Sequence, residues 1–229
     1  MAVRAVVFDF YGTLTVGRTG ALQRAAREAQ AMALGVDATA FDAELTATID
    51  ERFRGAGGDV RGSLAWLCER LGHRPSAEQL DTAATVRLQR ERVFGEPRPE
   101  APEVLAALRD RGHKIGLVSD CSAELPAYFA GLPVAPYIDA PVFSFLTGAR
   151  KPEPANYLTC CEALRVEPAD CVYVGDGGSN ELAGARAVGM RAVHLAVPAE
   201  QGSVVYGRHT AWDGEAVSSL TDLLTLPLL

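Results

Sequence analysis

The chain has 229 residues, 48% of them hydrophobic, and a net charge of −7. That is enough apolar material for a sizeable core, and nothing in it points to disorder. Its 22 Lys and Arg form no basic block against 29 Asp and Glu, which argues against nucleic acid or an anionic membrane as the main partner. Five cysteines, including the adjacent Cys160 and Cys161, make neither a ligand-spaced nor a paired framework, as expected of reduced thiols in a cytoplasmic protein. No apolar run approaches the ~20 residues of a membrane span, and Asp9 interrupts the N-terminal run too early for a secretory signal.

The first element is the apolar run from Ala5 to Phe8, which meets a carboxylate at Asp9 and breaks at Gly12. Such a run reads as a buried parallel strand. Asp9 then falls at the strand's carboxyl end, where open α/β sheets bind ligands. From Leu14 the texture turns helical. Phe41, Leu45, Ile49 and Phe53 recur every fourth residue as one stripe of a helix. After the glycine-rich loop 55–58, Leu64, Leu67 and Leu71 mark another. Ser76 and Gln79 have capping-box spacing and start a helix running toward Val93. Gly95-Glu96-Pro97-Arg98-Pro99 is a punctuated hinge, so residues 15–97 read as an all-helical insert.

From Glu100 strands and helices alternate. Val104, Leu105 and Leu108 predict a helix, and Lys114 to Val118 a strand ending at Ser119. A helix over about Ser122 to Ala130 and a short strand within Tyr137 to Phe145 follow. Pro154 opens a helix carrying Tyr157, Leu158 and Leu164. Cys171 to Val174 is a strand ending at Gly175-Asp176. A helix from about Asn180 stops at Gly189, and Arg191 to Val197 is the last strand expected. This alternation implies a parallel sheet with helices on both faces.

In such a sheet the strand ends share one edge, so Asp9, Ser119 and Asp176 can converge there. Lys151, in the loop before a helix, can join them. A carboxylate nucleophile, a hydroxyl and an ammonium suit a phosphoryl group. Asp9, Asp176 and Glu181 outnumber Lys151, and crowded carboxylates shift their pKa values or recruit a cation. A hard divalent ion, most simply Mg²⁺, resolves the imbalance. Other residues admit plainer readings. Thr13 either braces the turn or touches substrate. His73, His113, His194 and His209 do not cluster, and Arg52, Arg54 and Arg61 are candidates in the insert for an anionic substrate tail but read more simply as a solvated helix face.

Taken together, these motifs resemble the haloacid dehalogenase superfamily. Asp9-Phe10-Tyr11-Gly12-Thr13-Leu14 is similar to its first motif, the strand ending in Ser119 to its second, and Lys151-Pro152-Glu153-Pro154 to its third. Val174 through Glu181, followed by Ala183-Gly184-Ala185, is similar to its fourth, the acidic metal-binding loop. The helical insert resembles the cap of one subgroup. The resemblance implies an α/β fold with a Rossmann-like parallel sheet core (residues 1–14 and 98–229) and an inserted α-helical cap (15–97). It implies Asp9, Tyr11, Ser119 and Lys151 as catalytic residues, with Thr13, Ser119 and Asp120 against the substrate. Asp9, Asp176, Glu181 and the Tyr11 carbonyl would hold Mg²⁺.

Two departures stand out. Phosphatases of this superfamily carry Asp two residues after the nucleophile, where this chain has Tyr11, as the 2-haloacid dehalogenase branch does. Asn180 stands where they often place a second Asp, with Glu181 beside it. The expected activity is hydrolysis of a small phosphorylated metabolite through a covalent Asp9 intermediate, by a monomer or homodimer. The alternatives are a metal-free 2-haloacid dehalogenase and a catalytically weak binding or regulatory protein.

Overall fold

The computed structural model describes residues 3–16, 20–200 and 212–227, without the side chains of 20–23. His209 lies outside the described residues. Among the described residues six strands form one sheet in the order β3-β2-β1-β4-β5-β6, with every pairing parallel. They are β1 (Ala5–Phe8), β2 (Lys114–Ser119), β3 (Ala140–Phe143), β4 (Cys171–Gly175), β5 (Arg191–Leu195) and β6 (Glu215–Val217). The last lies beyond a segment with no clean alternation, and the sequence reading missed it.

Strand alternation divides the core into two layers. Val6 and Phe8 of β1, Ile115 and Leu117 of β2, and Val172 and Val174 of β4 share one apolar cluster with Val104, Leu105 and Leu108. Ala5, Val7, Val118 and Tyr173 face the other way, onto Tyr157, Cys160, Cys161 and Leu164. Successive side chains point to opposite faces, so a strand buried on both must be apolar throughout. That is why β1 carries no polar residue until Asp9.

Among the described residues five α-helices come between β1 and the rest of the sheet: α1 (Gly20–Leu34), α2 (Ala38–Ala47), α3 (Ile49–Phe53), α4 (Val60–Arg70) and α5 (Ala77–Phe94). They bury a core of their own around Leu34, Phe41, Leu45, Leu64 and Leu67. The stripe from Phe41 to Phe53 is not one helix. Thr48 bonds its hydroxyl back to the Glu44 carbonyl at 2.6 Å and adopts φ −98°, ψ 11°, separating α2 from α3. Hydroxyls that compete for backbone acceptors in this way bend or end helices. The capping box does form at Ser76, with Ser76 and Gln79 each accepting from the other's backbone N–H.

The two connectors run side by side. Thr15 bridges Pro97, Arg98 N–H donates to the Leu14 carbonyl at 2.8 Å, and Arg98 Nε reaches the Thr13 carbonyl at 2.9 Å. The remaining helices, α6 (Ala101–Asp110), α7 (Glu124–Tyr128), α8 (Ser144–Thr147), α9 (Pro154–Leu164) and α10 (Glu181–Ala187), alternate with the strands. The helix expected to reach Ala130 stops sooner, α7 giving way to a 3₁₀ turn at Phe129–Gly131. Among the described residues no helix is long and apolar enough to cross a membrane.

Candidate active site

The register of β1 against β2 and β4 brings three strand ends level. Phe8 pairs with Leu117 and Val174, so Asp9, Ser119 and Asp176 follow within two residues of one another's level. Past Asp9 the chain turns tightly through Phe10–Leu14 with Gly12 at φ 83°. A Cβ at Gly12 would collide with the Asp176 carboxylate. Gly12 thus meets two demands, a left-handed backbone and a close approach.

The Lys151 ammonium is the hub of the floor. It donates to Asp9 Oδ1 at 2.5 Å and to Glu181 Oε2 at 2.6 Å, and all three side chains are buried. Tyr173 hydroxyl donates to Glu181 Oε2 at 2.9 Å and Gly177 N–H to Oε1 at 3.0 Å. Tyr157, facing the same layer as Tyr173, donates to the Glu181 carbonyl at 2.9 Å. Thr13 hydroxyl donates to Asp9 Oδ2 at 3.2 Å, and Gly178 N–H to Asp176 Oδ1 at 2.8 Å. Asp120 accepts the Lys151 backbone N–H at 3.0 Å. The acidic loop winds through Gly177, Ser179 and Asn180 with positive φ at all three. Two consecutive left-handed non-glycine residues are costly backbone; here they swing Glu181, not Asn180, under the ammonium.

Charge in this floor is unbalanced. Burial and the Asp9 charge push the Glu181 carboxyl well above the carboxylate range, against the pull of Lys151. Burial alone would lower Lys151, but Asp9, Glu181 and Asp120 outweigh it and hold the ammonium well above the ordinary lysine value. Carboxylate oxygens of Asp9, Asp176 and Glu181 lie within 4.8 Å of one another. Three hard oxygen donors against one ammonium make a set that fits a small divalent cation such as Mg²⁺.

Above the floor lies a cavity of about 130 Å³. Its lower wall is Asp9, Asp120, Lys151, Asp176 and Glu181, and its upper wall includes Arg27, Gln30, Arg52, Arg87, Arg90 and Glu91 from the helical insert, with Glu124 of α7. Arg27 pairs with Asp42 at 2.6 Å, Arg87 with Glu124, and Arg90 with Glu91. Arg52 donates to the Leu45 carbonyl at 2.7 Å. Arg150 joins the two regions, pairing with Asp50 at 2.8 Å and lying over the Phe53 ring.

Of the residues singled out by sequence, Asp9, Lys151, Asp176, Glu181, Asp120 and Tyr11 line the cavity, while Thr13 and Ser119 stand behind its wall. Ser119 Oγ is buried without a hydrogen-bond partner. Tyr11 turns its hydroxyl toward the insert, donating to Glu91 Oε2 at 3.3 Å and lying 3.5 Å from the Tyr128 hydroxyl. His194 is more than packing, because its Nε2 lies 3.0 Å from the Asp176 carbonyl and steadies the acidic loop. Arg52 is buried and faces the cavity, whereas Arg54 and Arg61 pair with acids near the surface. Sequence reasoning missed Arg87 and Gln30. A signal existed: Ala83, Arg87 and Glu91 recur every fourth residue on the buried face of α5, and charges in an apolar stripe mark a site.

A family model described as haloacid dehalogenase-like hydrolase matches residues 3–189. The chain is 29% identical to a phosphoglycolate phosphatase of Aquifex aeolicus, over 81% of either chain. It is 25% identical to a glyceraldehyde 3-phosphate phosphatase of Methanopyrus kandleri, over 84% of either. A 2-haloacid dehalogenase structure from Pseudomonas syringae superposes with a TM-score of 0.69 over 96% of both chains at 24% identity, which speaks for the fold alone.

Proposed function

The chain belongs to the haloacid dehalogenase-like hydrolases, and from that premise we propose that it is a Mg²⁺-dependent phosphomonoester hydrolase acting on a small metabolite. The observation that carries this reading is the acidic floor: three carboxylates with oxygens within 4.8 Å of one another around one ammonium. Two curated relatives are named as phosphatases, which supports the same choice.

In this reading Asp9 is the nucleophile. Lys151 orients its Oδ1 and Thr13 its Oδ2, which leaves the carboxylate little freedom and sets it for in-line attack. Attack on phosphorus would break its bond to the leaving alkoxide and form an aspartyl phosphate, which water then cleaves to free Asp9 and release phosphate. Ser119, buried behind the cavity wall with its hydroxyl unpartnered at the end of β2, would reach a phosphoryl oxygen only once the side chains in front of it shift. Asp9, Asp176 and Glu181, with the Tyr11 carbonyl, would hold the ion, which when bound offsets charge on the phosphoryl oxygens. Glu181 also keeps Lys151 in place through its bonds to Tyr173 and Gly177. Residues 15–97 act as a cap that closes the cavity and excludes water, moving at the connectors near Leu14 and Gly95.

Tyr11 sets the limit of this chemistry. An unperturbed phenol titrates near ~10 and is a weak acid for an alkoxide at neutral pH, so phosphates with poor leaving groups turn over slowly. The same residue favours a second reading, metal-free dehalogenation by Asp9, against which Asp176 and the acidic floor weigh. Phosphate release from p-nitrophenyl phosphate, measured with Mg²⁺ and with EDTA, tests the first reading. Release only with Mg²⁺ supports it, and absence of release in both refutes it.

A further inference from the structure

Two carbonyls of the turn after Asp9 are held by one side chain from across the connector. Arg98 Nη2 donates to the Gly12 carbonyl at 3.0 Å and Arg98 Nε to the Thr13 carbonyl at 2.9 Å. The same guanidinium forks onto Glu200, Nη1 to Oε1 at 2.6 Å and Nη2 to Oε2 at 2.8 Å. Arg98 is 5% exposed. A buried guanidinium with both edges taken has one arrangement, so it fixes its acceptors as well as balancing a charge. Those acceptors border the reacting groups. Thr13 donates its hydroxyl to Asp9 Oδ2 at 3.2 Å, and Gly12 lies so close to the Asp176 carboxylate that a Cβ would collide with it. Arg98 itself does not line the cavity.

Arg98 also begins the return from the insert. Its N–H donates to the Leu14 carbonyl at 2.8 Å, and Pro97 before it bridges Thr15. The insert therefore joins the core through two segments that meet beside this guanidinium, while Glu200, beyond β5, anchors it from the core side. A pull on either connector would reach the Thr13 turn unless something held that turn in place. We propose that Arg98 is a positioning residue for Asp9, a pin that keeps the Gly12 and Thr13 backbone fixed, and the Thr13 hydroxyl on the Asp9 carboxylate, while the insert moves. It acts through the backbone and meets no substrate. This inference rests on Asp9 as the nucleophile of the proposed function and extends the site to a residue outside the cavity.

The test compares kcat and KM on p-nitrophenyl phosphate with Mg²⁺ for the parent, Arg98→Met and Arg98→Lys, each with its melting temperature. Arg98→Met is expected to lower kcat ~10²-fold, the size of a ~1 Å misplacement of a reacting group, with KM unchanged. Arg98→Lys keeps the charge and loses the fork, and is expected to recover part of that loss. In a Thr13→Val background, which lacks the hydroxyl the pin holds, Arg98→Met is expected to cost only a few-fold, because losses along one chain of contacts do not add. If Arg98→Met fails to fold, Arg98→Met with Glu200→Met strands no charge and is expected to show the same split, and Arg98→Lys is read in either case. A kcat close to that of the parent at a lowered melting temperature, a loss that falls on KM, or a loss of equal size in the Thr13→Val background makes Arg98 structural and overturns the inference, leaving the phosphatase reading intact. If the parent does not turn over p-nitrophenyl phosphate, the phosphatase reading falls first. The same variants are then compared on chloride release from 2-chloropropionate, where a positioned Asp9 predicts the same split. Turnover of neither compound overturns the reading and the inference together.

Discussion

At the floor of the cavity Asp9, Asp176 and Glu181 crowd around the single ammonium of Lys151, whereas its upper wall sets four guanidiniums against two carboxylates. The floor is built from strand ends and the loops after them, held in register by the parallel ladder. The wall is built mostly from helix faces of the insert, packed on an apolar cluster of their own. A sheet edge fixes reacting atoms; a helical layer can vary its contacts while the edge stays put. Lesions in the floor should therefore hit every substrate alike, and lesions in the wall should separate substrates.

The largest effect belongs to Asp9→Asn. It keeps the shape and the Thr13 contact but removes the proposed nucleophile, and is expected to cut turnover by ~10⁴-fold or more on every phosphate. Its melting temperature should stay close to that of the parent, measured side by side by calorimetry. Next comes loss of the cation. EDTA, or Asp176→Ala, is expected to cost ~10²–10⁴-fold, again without regard to the leaving group, and isothermal titration of Mg²⁺ into the variant should show weaker binding. A uniform loss in both cases is what the floor's role demands.

Tyr11 lies where the two regions meet, on the floor's tight turn but bonded to Glu91 of α5. Tyr11→Asp introduces a carboxyl donor for the leaving alkoxide. It is expected to raise kcat/KM on ethyl phosphate by ~10-fold or more with Mg²⁺, and little on p-nitrophenyl phosphate, which leaves unaided. Equal losses on both compounds would give the phenol a role of its own in shaping the pocket. The smallest change is Tyr11→Phe, which deletes the hydroxyl with its bond to Glu91 and its contact with Tyr128. That bond is worth ~0.5–1.5 kcal/mol, so a drop of a few degrees in melting temperature and at most a few-fold change in rate are expected.

The two regions also differ in how far the sequence disclosed them. Asp9 and Asp176 were legible because a doubly buried strand must be apolar, so a charge at its end has nowhere to go but the sheet edge; Lys151, in the loop before α9, was legible through the motif it resembles. Arg87 was not, because its partner Glu124 lies far off in the chain, on α7, and only the interruption of the α5 stripe hinted at it. Gln30 was not, because its one bond is to the Ala26 carbonyl a turn earlier, which leaves no mark in the sequence. The break at Thr48 was hidden for a local reason: a hydroxyl bonding back to the preceding turn leaves the apolar period of Phe41 to Phe53 intact. Glu181 was one of two neighbouring candidates until the left-handed backbone at Ser179 and Asn180 selected it.

An acidic floor that binds a cation would commit the proposed chemistry to phosphorus rather than to carbon–halogen bonds. This is tested most directly by following phosphate release from phosphoglycolate and chloride release from 2-chloropropionate in parallel, each with Mg²⁺ and with EDTA. Phosphate release that needs Mg²⁺, with no chloride under either condition, is expected. Chloride release that persists in EDTA, with phosphoglycolate untouched, would contradict it and assign Asp9 to carbon–halogen chemistry instead.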